Sequence, residues 1–323
     1  MNFEPDRPAL QNVYTIFKKY GPSARVCFTL AAEMRRCGKY DGEVRKAINK
    51  DLSDIVDAVI SYSLGDTSTC TSSHKVFLML RDENFDGYTD VASNYILDIL
   101  TKVHMQRDRQ EVRKLYEHFM AYSYTRSSAG KIFEMICHHR LCPDDHSVFW
   151  PSLQLRSLNT PDTEMSLEIG PLKMKDDFSL SMKIKLQAVP GVYYLPRASN
   201  NRTFDSFIVG PDNSVVLFQM TVSDDHSILF SGLDMLSKVL PARFLPWNSG
   251  VKWKFVFVVP DDNIATKYIV RKFKGSEKDD EPLEKKAKMA EHLQDHVTQW
   301  VTCLKVFDTP SLLQAVQDAG PST

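Results

Sequence analysis

Three side chains within residues 201–222 can act as a set. Asp205 lies in the run Phe204-Asp205-Ser206-Phe207-Ile208-Val209, and Gln219 and Thr221 lie in the run from Ser214 to Val222. The two β-favouring runs flank Gly210-Pro211-Asp212-Asn213, which is a hairpin signal. Along the second run Val215, Leu217, Gln219 and Thr221 share one face, and Val216, Phe218, Met220 and Val222 share the other. A three-residue loop pairs Gly210 with Ser214 and sets Asp205 opposite Gln219. A two-residue turn shifts the pairing by one residue and disperses the set. In the first register a carboxylate, an amide oxygen and a hydroxyl converge, the hard oxygen donors that Mg²⁺ prefers. Gln219 adds no formal charge and Thr221 no cation, so metal binding and electrostatic help would both be weakened. Asp224, Asp225 and His226 follow the second strand. His226 is the candidate imidazole there, against turn solvation and capping as the alternative.

The elements that position this set fall in the second half of the chain. Short strand-like runs dominate from Trp150 onward: 166–169, 179–189, 192–195, 204–209, 214–222 and 253–259. The first half reads as helical. Ser23 can cap a helix through Met34 that stops at Gly38, and apolar steps of three and four mark 41–63, 90–100 and 109–122. His74 to Leu80 reads as one strand. A charged stretch, 271–284, reads as a surface loop. A helix is expected from Pro282 through Trp300, then a strand at 304–307 and a helix at 311–316. The spacing therefore predicts an α+β chain, a mostly helical region over 1–122 and an α/β domain with a mixed central sheet over 123–323.

Composition bounds the function. Hydrophobic residues make up 43% of the 323, enough to build a core, which argues against disorder for most of the chain. Forty Lys+Arg against 41 Asp+Glu leave a net charge of −1, so whole-chain steering towards a polyanion is excluded while a local basic groove is not. The best strip for nucleic acid is Lys267-Tyr268-Ile269-Val270-Arg271-Lys272-Phe273-Lys274, with a solvated helix face as its alternative. Lys285-Lys286-Ala287-Lys288 is offset by Glu281, Glu284 and Glu291 and is weak as a nuclear import signal. No apolar run approaches a membrane span, and the amino terminus lacks the pattern of a secretory signal. Six scattered cysteines read as reduced thiols, so a cytoplasmic or nuclear setting is expected. No P-loop, G-x-G-x-x-G or G-x-S-x-G occurs. Cys137-His138-His139-Arg140-Leu141-Cys142 sits on one expected helix with no second ligand pair, so buried thiols beside a half-exposed His pair are expected rather than a zinc site.

An acid on one strand and an [E/Q]-x-[K/T] step on its neighbour resembles the hairpin of PD-(D/E)XK nucleases. That resemblance implies carboxylates holding Mg²⁺ beside a scissile phosphate and a lysine polarising the attacking water. It also implies an acid from the preceding helix, for which Glu134 in Gly130-Lys131-Ile132-Phe133-Glu134 is the candidate. Ordered strings extend the likeness: Tyr20-Gly21-Pro22-Ser23-Ala24-Arg25, Ser73-His74-Lys75, Ala92-Ser93-Asn94-Tyr95-Ile96, Tyr194-Leu195-Pro196, Phe204-Asp205-Ser206-Phe207, Leu217-Phe218-Gln219-Met220-Thr221, His226 and Trp253 to Pro260. With these the chain resembles the carboxyl-terminal part of fungal Crinkler/RHS-type (retrotransposon-hot-spot-like) proteins. The resemblance implies an ATPase-lid remnant without its P-loop, with Arg25 at the sensor-arginine position, followed by a restriction-endonuclease-like domain. It carries Glu134, Asp205 and Gln219 over as the Mg²⁺ set, with Thr221 where an active enzyme keeps lysine. Lys252 and Lys254 are the candidates to substitute for that lysine in space, against solvated strand-end lysines as the alternative. Two functions remain open: a weak Mg²⁺-dependent DNA nuclease, or a catalytically degenerate module of Crinkler effector type that binds DNA or a protein. A separate ATPase chain or protein partner is a further implied partner.

Overall fold

The structure is a computed structural model; it describes residues 10–49, 54, 56–57, 75–81, 87–105, 109–142, 152–160, 162–170, 172–178, 186–196, 203–274 and 291–305. The chain divides into two compact units, Met1–Met135 and Ile136–Thr323. The division falls inside a helix rather than near residue 122, because α6, described below, runs unbroken across it.

In the first unit α1 (Leu10–Tyr20) turns into α2 (Ala24–Ala32) at Gly21. Gly21 has φ +90°, and a Cβ there would lie 2.2 Å from the Ala92 carbonyl oxygen, so only glycine fits this corner. Ser23 caps α2 by accepting from the Val26 N–H. The helix breaks at Glu33 (φ −131°, ψ 69°), passes through a 3₁₀ turn and resumes as α3 (Cys37–Ile48). Gly38 is therefore inside α3 and not the stop that was expected. Of the helix expected over 41–63, most residues past 49 lie outside the described residues. The strand expected at 74–80 is β1 (Phe77–Arg81), which pairs antiparallel with β2 (Gly87–Val91). Asp90 thus belongs to a strand, and α4 (Asn94–Met105) starts only after Ser93, whose hydroxyl accepts from the Ile96 N–H. Helices α5 (Arg109–Ala121) and α6 (Arg126–Leu141) follow.

The second unit holds β3 (Ser152–Ser157), β4 (Glu164–Glu168), β5 (Lys173–Phe178), β6 (Val192–Pro196), β7 (Ser206–Val209), β8 (Val215–Met220), β9 (Ile228–Leu229), α7 (Phe230–Val239), α8 (Pro246–Ser249), β10 (Trp253–Val259), α9 (Asp262–Lys267), β11 (Phe273–Lys274) and β12 (Val297–Cys303). Eight strands form one mixed sheet in the order β4-β3-β12-β10-β8-β7-β6-β5. Strands β6, β7 and β8 form an antiparallel meander, and β10 joins β8 in parallel after the crossover through α7. Every residue of β8 is buried, as a central strand covered on both faces requires. Val215, Leu217, Phe255, Phe257 and Val301 pack with Leu233 and Leu236 of α7 in one core.

The end of the chain differs from expectation. Residues 291–295 are helical, but Val297 to Trp300 belong to β12, which runs parallel to β10 with Trp300 opposite Val256. The β-branched Val297, Thr298, Val301 and Thr302 favour a strand wherever a partner edge is offered, and β10 offers one. Most of the run 179–189, and everything past 305, lies outside the described residues.

Candidate functional site

The hairpin loop sets the register. The Gly210 N–H donates to the Ser214 carbonyl at 2.8 Å, and Asn213 adopts a left-handed φ of 62° between them. Asp212 Oδ1 accepts from the Ser214 N–H and hydroxyl at 3.1 and 2.6 Å. This is a three-residue loop with its third residue left-handed, a preferred hairpin connection. Ser206 consequently faces Phe218, and the Asp205 N–H donates to the Phe218 carbonyl at 2.8 Å. Asp205 comes opposite Gln219.

At that position the two side chains bond directly. Gln219 Nε2 donates to Asp205 Oδ2 at 2.9 Å, and the Met220 N–H donates to the same oxygen at 2.7 Å. Gln219 is 5% exposed, and its Oε1 is buried without a hydrogen-bond partner among the described residues. A buried acceptor left unpaired costs on the order of 1–3 kcal/mol. Thr221 continues the line just beyond β8, its N–H donating to the Val258 carbonyl at 2.9 Å. Its hydroxyl is committed to the following turn, accepting from the Ser223 N–H at 3.0 Å.

The loop leaving β8 is tied to the segment after α9. Tyr268 donates its hydroxyl to the Ser223 carbonyl at 2.7 Å; burial pushes that phenol well above its ordinary value. Arg271 pairs with Asp225 at 3.1 Å, donates to the Asp224 carbonyl and lies 5.3 Å above the Tyr268 ring. Lys267 reaches Asp224 at 3.8 Å. Only Lys267 of the basic strip is helical, at the end of α9; the rest leaves the helix and ends in β11, and Lys267 and Arg271 face acids of the β8 loop. His226 is half-buried there; burial lowers its pKa, and its Nδ1 has no hydrogen-bond partner among the described residues. One contributor escaped sequence reasoning. Gln299 of β12, fully buried, accepts from the Arg271 N–H at 2.8 Å and donates to the Arg271 carbonyl at 2.7 Å. A lone amide in an otherwise apolar and β-branched run is the signal that could have revealed it.

Glu134 belongs to the first unit, on α6, where it pairs with Lys131. Lys252 and Lys254 do not reach Gln219: Lys254 faces Val216 while Gln219 faces Phe257, three residues, or about 10 Å, further along the strand. Among the described residues no group of three or more His, Cys, Asp or Glu is arranged to hold a metal ion. Cys137 and Cys142 are buried thiols, as expected of that string. His138 Nδ1 lies 2.8 Å from the Tyr193 hydroxyl, which bonds the buried Ser206 hydroxyl at 2.6 Å, a closed core network. No helix among the described residues is long and apolar enough to cross a membrane. No family model, curated protein or solved structure matches the chain.

Proposed function

We propose that the second unit is a restriction-endonuclease-like domain in a catalytically degenerate form, and that the chain binds nucleic acid without cutting it. The order helix α6, meander β6-β7-β8, crossover helix α7 and parallel β10 supports that core, with Asp205 and Gln219 at the strand ends where the resemblance sets the metal site. The observation that carries the reading is the bond from Gln219 Nε2 to Asp205 Oδ2. Two facing carboxylates need a cation between them, whereas an amide N–H closes the same gap alone. Among the described residues this strand end thus offers a metal the Asp205 carboxylate, whose Oδ2 already takes two N–H donors, and the buried oxygen of Gln219. Mg²⁺ keeps most of its waters and can be held by one or two carboxylates plus substrate phosphates, so this set supports weak binding at most. The weak-nuclease reading is kept by one observation, the unpartnered Gln219 Oε1, which a cation would satisfy.

Nucleic acid is favoured by the resemblance and by Lys272 and Lys274, exposed on the segment bonded to the β8 loop. Fluorescence anisotropy with labelled duplex and single-stranded DNA, run beside plasmid nicking in Mg²⁺ and Mn²⁺, tests both halves. The expected result is salt-sensitive binding, weakened by K272E/K274E, and no nicking. Nicking that disappears in D205A would establish the weak nuclease instead. Absence of binding at low salt would end the nucleic-acid reading.

A further inference from the structure

The first unit carries an apolar groove that the proposed DNA-binding role does not use. Leu10, Tyr14 and Phe17 follow one another at i, i+4 and i+7 on α1 and face Phe28 of α2. They are 83%, 49%, 46% and 58% exposed. Val13 and the buried Cys27 also line the cleft, and its volume is about 680 Å³. Four large apolar side chains left open around one concavity mark an interaction site more often than chance exposure does. The corner that shapes it is rigid, because Gly21 is held against Ala92 and Cys27 Sγ lies 3.4 Å from the Gly21 carbonyl.

Charge identifies the occupant. Residues 10–32 contain Lys18, Lys19 and Arg25 and no acid. Lys19 is spent on Asp41 at 2.8 Å, but Lys18, 4.6 Å above the Tyr14 ring, and Arg25 are exposed. Past Phe17 and Pro22 the groove meets a polar pocket of about 270 Å³ bordered by Lys18, Asn94 and Ser127. The acid there, Asp90, is engaged by the Ser128 hydroxyl and the Val91 N–H. A concave cleft suits an inserted helix better than a bilayer, which takes a convex apolar face. We propose that the α1–α2 groove binds an acidic amphipathic helix of another protein, apolar side chains entering between Tyr14, Phe17 and Phe28 and acids meeting Lys18 and Arg25.

The test uses the full chain and three labelled peptides of about 16 residues. One carries leucines at i, i+4, i+7 and i+11 with glutamates between them, one replaces the glutamates by lysines, and one scrambles the acidic sequence. Anisotropy should show the acidic helix binding about tenfold more tightly than the other two. F28S, at an exposed position and with an unchanged circular dichroism spectrum, should remove that binding. K18E/R25E should reverse the preference towards the lysine peptide, which loss of folding cannot do. Equal binding of the scrambled peptide, or none by any of the three, overturns the proposal. So does an F28S-sensitive dimer in sedimentation, which gives the groove to a second copy. F28S-sensitive binding to phosphatidylserine vesicles would give it to a membrane. About tenfold tighter peptide binding after deletion of residues 1–9 would give it to the chain's own first residues.

Discussion

Gln219 donates its side-chain amide to Asp205 Oδ2 at 2.9 Å, bridging two strands where a second acid would meet the first head-on. Q219E replaces that donor by a like charge in a 5%-exposed position. The expected loss is about 2–4 kcal/mol at pH 7. Part of it should return at acidic pH, when the pair takes up a proton, and part on adding millimolar Mn²⁺, which binds only the folded pair. Urea unfolding at both pH values, with and without the ion, measures this. A Q219E protein as stable as the wild type at pH 7 would show that the bond contributes nothing.

Asp205 ties the strand end together, its Oδ2 taking both the Gln219 amide and the Met220 N–H. D205A should cost about 2–3 kcal/mol, the price of a charged acceptor serving a buried backbone donor. D205N, which keeps one acceptor oxygen, should cost less and leave DNA affinity unchanged. Unfolding and anisotropy on the same preparations compare the two. DNA affinity that falls with D205N while stability holds would move Asp205 into the binding surface.

The Gln299 clamp yields a third expectation. Q299L keeps the shape of a fully buried side chain but leaves both the N–H and the carbonyl of Arg271 unpaired. A loss of about 2–3 kcal/mol is expected, together with faster amide exchange at Arg271 and Phe273. Unchanged exchange at both residues would mean that the Tyr268 and Asp225 contacts hold the segment without the clamp.

Much of the hairpin was legible because turn chemistry is local. Gly-Pro-Asp-Asn marks the turn but allows a two- or a three-residue loop, and the choice of register, Asp205 against Gln219, comes from the folded loop with Asn213 in the left-handed position. The direction of the Gln219 amide was not legible, since the group has a donor end and an acceptor end and only the folded neighbours choose between them. Val297 to Trp300 read as the end of a helix although they open β12, because the partner β10 lies more than forty residues earlier and a short apolar run takes its period from the edge it meets. The division at Met135/Ile136 left no mark because α6 crosses it without a break in helical pattern. The two basic residues facing Asp224 and Asp225 were visible as a charged strip, but that acids of another loop occupy them is a tertiary fact.

Asp41 in the first unit should govern part of the acid limb of stability. Burial alone would push its carboxyl up, but hydrogen bonds from Lys19 at 2.8 Å, Tyr20 at 2.8 Å and Tyr95 at 3.1 Å hold it below its ordinary 3.8. A carboxyl with a lowered pKa in the fold is protonated first in the unfolded chain. Its contribution is therefore complete above about pH 4 and is lost as the pH falls through the folded value. Lys19 carries the complementary shift, raised despite burial, so its share persists at least to its ordinary 10.5 and fades only above it. D41N removes the ionised acceptor for three donors, and about 1–3 kcal/mol should be lost at pH 7. The gap between wild type and D41N should then narrow steadily below pH 4, because the wild-type carboxylate is being neutralised while asparagine does not titrate. Urea midpoints of the full chain from pH 3 to pH 7 read that gap directly. A gap that stays constant across this range would mean that the Lys19, Tyr20 and Tyr95 contacts stabilise the protonated and ionised forms of Asp41 equally.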